Sequence, residues 1–126
     1  MKNLVDLEKK INSELTTKIN DSKMNHGQLY IEIDSEDLLD VSLFLKTNKD
    51  TKFRQLIDIT AVDYPEKTKR FKLVYLFLSH EFNQRILINY FINENEVVPT
   101  LTKIFPSANW MEREVFDMYG VNFKDH

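Results

Sequence analysis

The chain has 126 residues and 15.0 kDa, and its 17 basic against 20 acidic side chains leave a formal charge of −3. That size and 42% apolar content fit one domain, whose core hides roughly two-thirds of the unfolded chain's surface. A weakly acidic chain has no bulk attraction for a phosphate backbone, which argues against nucleic-acid binding. The absence of Cys excludes thiolate iron–sulfur and zinc ligation, thiol nucleophiles and disulfides. Two glycines, Gly27 and Gly120, are too few for a dinucleotide or phosphate-binding loop.

Leu4, Leu7, Ile11 and Leu15 recur at helical spacing behind Asn3, and predict an amphipathic first helix. Residues 20–27 read as a polar turn, and Gln28–Ile33 alternates like a half-buried strand. Ser35, followed by Glu36 and Asp37, offers the start of a second helix carrying Leu38, Val41, Phe44 and Leu45, with Asn48 as its stop. Three strands follow over Phe53–Tyr64, Arg70–His80 and Arg85–Ile92. The middle one is apolar on both faces, which predicts a central strand covered on two sides. The short link His80–Gln84 suits a hairpin.

Val97–Ile104 reads as a short helix with Pro99 in its first turn, and a last helix spans Asn109–Tyr119. Asn109 and Glu112 have capping-box spacing, and Gly120 ends that helix. The order αβαβββαα predicts an α+β fold, two layers with helices on a mixed or antiparallel sheet of about four strands. The longest apolar run, Leu73–Leu78, is far short of the ~20 residues of a membrane span, and the N-terminus has no signal-peptide core.

Ionisable groups are densest near the end of the chain. On the last helix Met111, Val115 and Met118 form an apolar stripe, while Arg113, Glu114 and Asp117 share a face beside Trp110. Three readings compete: a solvated charged face, an ion-pair network docking onto another protein with Trp110, Arg113 and Tyr119 as anchors, or a carboxylate-metal enzyme site using Glu114, Asp117 and His126. The metal reading is short of ligands, because the helix supplies two where three or four must converge. His26, His80 and His126 show no metal-binding pairing, and His80 reads as a strand-end residue. Asp58 and Asp63 flank a strand end, where a hydrogen bond to a nearby turn is the ordinary role. The surplus of apolar side chains over the helices available to cover them favours an interaction module over an enzyme.

The run Ala108–His126, ANWMEREVFDMYGVNFKDH, resembles the signature of the C-type subunit of respiratory complex I, the NADH–quinone oxidoreductase component known as subunit 9 in mitochondria. That signature is E-R-E, two residues, an acid, two apolar residues, six residues and a His. It falls on Glu112-Arg113-Glu114, Asp117, Met118-Tyr119 and His126. LIDITAVDYP (Leu56–Pro65) and VPTLTKIFPSANW (Val98–Trp110) are similar to further stretches of the family. The resemblance runs from His26 onward. The family continues past the His with a proline, a basic segment and a tail that wraps neighbouring subunits, whereas this sequence ends at His126.

The resemblance implies a structural subunit of the hydrophilic arm with no catalytic residues, metal or cofactor of its own, the FMN and iron–sulfur clusters being carried by other subunits. It implies a hetero-oligomer with the D-type subunit, which forms the quinone site, and with the subunit holding the terminal iron–sulfur cluster. Membrane contact would come only through the complex, on the cytoplasmic face of a bacterial inner membrane or the matrix face of a mitochondrial one. Glu112, Arg113, Glu114 and Asp117 are expected to interlock, part internal brace and part partner contact. The related modules of membrane-bound hydrogenases and plastid-type NDH complexes are the nearest alternatives.

Overall fold

A computed structural model describes residues 3–124. Helix α1 (Leu4–Glu14) starts where the Asn3 Oδ1 accepts the Asp6 N–H at 2.9 Å, and buries Leu7 and Ile11. Strands β1 (Asp21–Asn25) and β2 (Gln28–Glu32) form a hairpin through His26 and Gly27, both at positive φ. This pair of left-handed residues matches the right-handed twist of the strands it joins. Residues 20–27 are therefore not just a turn. Strand β1 lacks apolar alternation because it lies at the sheet edge, exposed along most of its length, and owes its extension to pairing with β2.

A 3₁₀ turn (Ser35–Asp37) leads into α2 (Leu38–Thr47), which buries Leu38, Val41 and Leu45 and stops at Asn48. Strands β3 (Gln55–Asp63), β4 (Phe71–Ser79) and β5 (Gln84–Ile92) follow as an antiparallel meander. The five-stranded sheet has the order β1-β2-β5-β4-β3. Only β2 and β5 run parallel within it, with Leu29, Tyr30 and Ile31 opposite Ile86, Leu87 and Ile88. The fold class is α+β, with a mixed sheet one strand larger than expected.

Val97–Ile104 is not a helix. Val97–Val98 is a short strand β6, followed by a single turn in which the Ile104 and Phe105 N–H groups bond the Leu101 carbonyl. Proline disfavours helical backbone in the residue before it, so Pro99 keeps Val98 extended, and β-branched Val suits that conformation. β6 pairs in parallel with β7 (Asn122–Phe123), beyond helix α3 (Ala108–Tyr119). Gly120 ends α3 at φ +74°, a conformation that glycine adopts without strain.

One core joins Leu7, Ile11, Leu38, Val41, Leu45, Ala108 and Val115 of the helices to one face of the sheet, which contributes Leu29, Ile31, Leu73, Tyr75, Phe77, Ile86, Ile88 and Tyr90. At its centre the Tyr75 and Tyr90 hydroxyls are 2.7 Å apart, both fully buried. β4 is an interior strand, between β5 and the edge strand β3, and is covered on one side only: Val74, Leu76 and Leu78 on its other face are half-buried.

Candidate functional site

The end of the chain is organised by which side of α3 each residue takes. Ala108, Glu112 and Val115 are buried, and Tyr119 sets its ring edge-on to Phe71. These positions recur at intervals of three and four, the spacing of one helix face. The apolar stripe is thus not Met111, Val115 and Met118. Met111 is half-buried, and Met118, two turns further along the same edge of the helix, has 72% of its surface exposed.

Glu112 is the residue whose role sequence spacing misassigned. It does not cap the helix: α3 starts one residue earlier than predicted, at Ala108, and the Glu112 carboxylate is fully buried. One oxygen accepts the Leu101 N–H at 2.8 Å, and the other accepts the Thr100 hydroxyl at 2.6 Å. Glu112 therefore fastens α3 to the segment leaving β6. Ser107, just before α3, donates to the Leu56 carbonyl of β3 at 3.1 Å, a second tether at the same end. Both carboxyl oxygens of Glu112 thus have a donor, which offsets the cost of burying the group.

With Glu112 turned in, Arg113, Glu114 and Asp117 face outward together with Trp110, Phe116 and Met118. Trp110 is 69% exposed. One cleft is lined by Asn109, Trp110, Arg113, Glu114 and Asp117. Another is lined by Arg113, Phe116, Asp117, Asn122 and Phe123. Among the described residues no ion pair joins Arg113 to Glu114 or Asp117. Of the four residues expected to interlock, Glu112 thus points inward and Arg113, Glu114 and Asp117 point outward. His126 lies outside the described residues.

The two earlier acids have local roles. Asp63 receives the Arg70 guanidinium across the β3–β4 turn at 2.7 and 2.9 Å, and this pairing holds its carboxyl below the usual carboxylate range. Asp58 is exposed beside a bulge in β3 and accepts the Ile59 N–H at 2.9 Å. His80 bonds Gln55 at 2.8 Å between adjacent strand ends. Asp34, Glu36 and Asp37 crowd together at the start of the 3₁₀ turn, where acids favour the positive helix end and Lys18 pairs with Asp37.

Residues 31–126 match the family described as the 30 kDa subunit of respiratory-chain NADH dehydrogenase. The chain belongs to this family. It is similar to the C subunit of NADH-quinone oxidoreductase from Ruegeria pomeroyi, 49% identical over 100 residues, which cover 79% of this chain and 50% of the relative. The same-named subunit of Rhodospirillum rubrum is 37% identical over 126 residues, covering all of this chain and 59% of the relative. The chain spans about half the length of the curated relatives it matches. Among solved structures, the trypsin-resistant fragment of Nqo5 superposes with a TM-score of 0.80 at 25% identity, covering 95% of this chain and 96% of that one. A component of an archaeal membrane-bound sulfane sulfur reductase gives the same TM-score and identity, covering 97% and 71%. Helix α3 lies within the residues matched to this family.

Proposed function

We propose that the chain is a non-catalytic, cofactor-free subunit of NADH–quinone oxidoreductase, the proton-pumping respiratory complex, and that α3 is its grip on the large quinone-site subunit. The observation that carries this reading is the division of α3. A buried Glu112 roots the helix, while Trp110, Arg113, Glu114, Phe116, Asp117 and Met118 project outward. Trp and Arg are among the side chains most often found at the energetic centre of an interface.

The charges on α3 point the same way. Asp117 stands in the second half of the helix, whose last turn has no basic residue. There the helix dipole opposes a negative charge, and a partner's cation would relieve that opposition. Family membership and the names of the relatives support the assignment to this complex. With no cysteine and two glycines, the chain lacks the usual means of holding a cluster or a flavin, so those groups belong to neighbouring subunits. Among the described residues no helix is long and apolar enough to cross a membrane. Attachment through the assembled complex, on the cytoplasmic or matrix side, completes the reading.

Co-expression with the quinone-site subunit tests it. Asp117→Arg and Trp110→Ala should each weaken recovery of the pair on affinity purification while leaving the melting temperature of the free chain nearly unchanged. Undiminished recovery of both variants would overturn α3 as the docking element.

A further inference from the structure

The three helices cover one side of the sheet and leave the other bare. On that bare side Tyr30, Leu87 and Leu76 stand in register across β2, β5 and β4. Val74 and Leu78 flank Leu76 along β4, Asn89 separates Leu87 from Phe91 along β5, and Val62 of β3 lies opposite Lys72. The apolar side chains among these are half-buried except Val62, which is 40% exposed. They form an apolar band across β2, β5 and β4, of the kind that marks an interaction site, and β3 borders it with Asp58 and Thr60 opposite Leu76 and Val74.

One end of the band is basic, although the chain as a whole is acidic. The ammonium groups of Lys67 and Lys72 stand 5.4 and 5.7 Å from the centroid of the same Phe91 ring. Lys69 borders the same depression. Among the described residues none of the three lysines forms an ion pair. Glu32 and Asp34 also line this depression, but Asp34 accepts a hydrogen bond from Asn20 at 2.9 Å instead. Arg70 in the same turn is held by Asp63 and Glu94. The Lys67 ammonium is nearer still to Tyr64, 4.6 Å from its ring centroid, so aromatic faces rather than carboxylates hold the positive charge gathered here.

We propose that this bare face is a second docking surface, distinct from α3. Its occupant is a protein segment, apolar along its middle, that carries carboxylates at the end meeting Phe91. The apolar part covers Tyr30, Leu76 and Leu87, and the carboxylates bridge Lys67, Lys69 and Lys72. Electrostatic complementarity of this kind fixes register and direction as well as contact.

The test is photo-crosslinking in the assembled complex. Benzoylphenylalanine replaces Leu76 in one variant and Leu87 in a second, and a third carries it at Trp110 as a probe of α3. The expected result is a crosslink from Leu76 or Leu87 to a neighbouring subunit. The captured peptide should carry Asp or Glu within a few residues of the linked site. Adding Lys67→Glu and Lys72→Glu should reduce the yield several-fold without changing the yield from Trp110. A crosslink to lipid, to a second copy of this chain or to a peptide without acids would overturn the proposal. So would silence at Leu76 and Leu87 with a signal at Trp110, which leaves the α3 reading intact. Silence at all three positions would overturn both.

Discussion

Glu112 carries more consequence than any other single side chain, because it is a carboxylate with no exposed surface in a chain whose other described acids face water or an exposed cation. Replacing it with Ala strands the buried Leu101 N–H, while the Thr100 hydroxyl keeps Thr102 as a partner, and an unsatisfied buried donor costs about 1–3 kcal/mol. Glu112→Ala should therefore unfold at clearly lower denaturant, whereas Glu112→Gln, which keeps an acceptor, should lose less. Equal losses in a urea titration would contradict that account. Asp63 gives a pH-dependent counterpart. Its folded-state carboxyl is held below the ordinary value of 3.8, chiefly by the hydrogen bonds from Arg70. A depressed folded pKa contributes stability above the unfolded value, and that contribution disappears as pH falls through the folded one. The difference in melting temperature between the native chain and Asp63→Asn should be full near neutrality and shrink below pH 3.8.

At the scale of elements, α3 separates stability from recognition. Arg113 is exposed and makes no ion pair among the described residues, so Arg113→Ala should lower the stability of the free chain by no more than about 1 kcal/mol, read by thermal melting. A loss several times larger would mean that it braces the fold. The extent of α3 was legible in the sequence and its rotation was not. Gly120 and the helical spacing marked the extent, but Met118 is as apolar as Val115, and nothing local says that a glutamate points inward. That depends on Thr100 and Leu101, whose donors reach Glu112 only in the folded chain. Strands β3, β4 and β5 were legible because burial writes alternation or apolar runs into them. β1 and β6 were not, since a polar edge strand and a two-residue strand are held by their neighbours. The resemblance drew attention to α3 without separating its inward from its outward residues, and spacing alone left metal ligand, solvated face and docking anchor all open.

The whole molecule is a slab with one upholstered side and one bare side, and its two proposed contacts lie on different surfaces. A small domain that offers both a helix and a sheet face can sit between two neighbours rather than against one, which suits the structural role proposed above. The parallel pairing of β2 with β5 has a further consequence for how the molecule is made. The Ile33 N–H bonds the Asn89 carbonyl and the Asn89 amide bonds the Ile31 carbonyl, so the early hairpin is completed by a strand translated much later. Contacts so distant along the chain must close a long loop before they return any free energy, and they slow folding. On the ribosome, β1 and β2 therefore emerge with an unfilled edge and wait for β5. For that interval the nascent chain is open to mispairing, and whatever shields it then governs how much finished subunit is available to assemble.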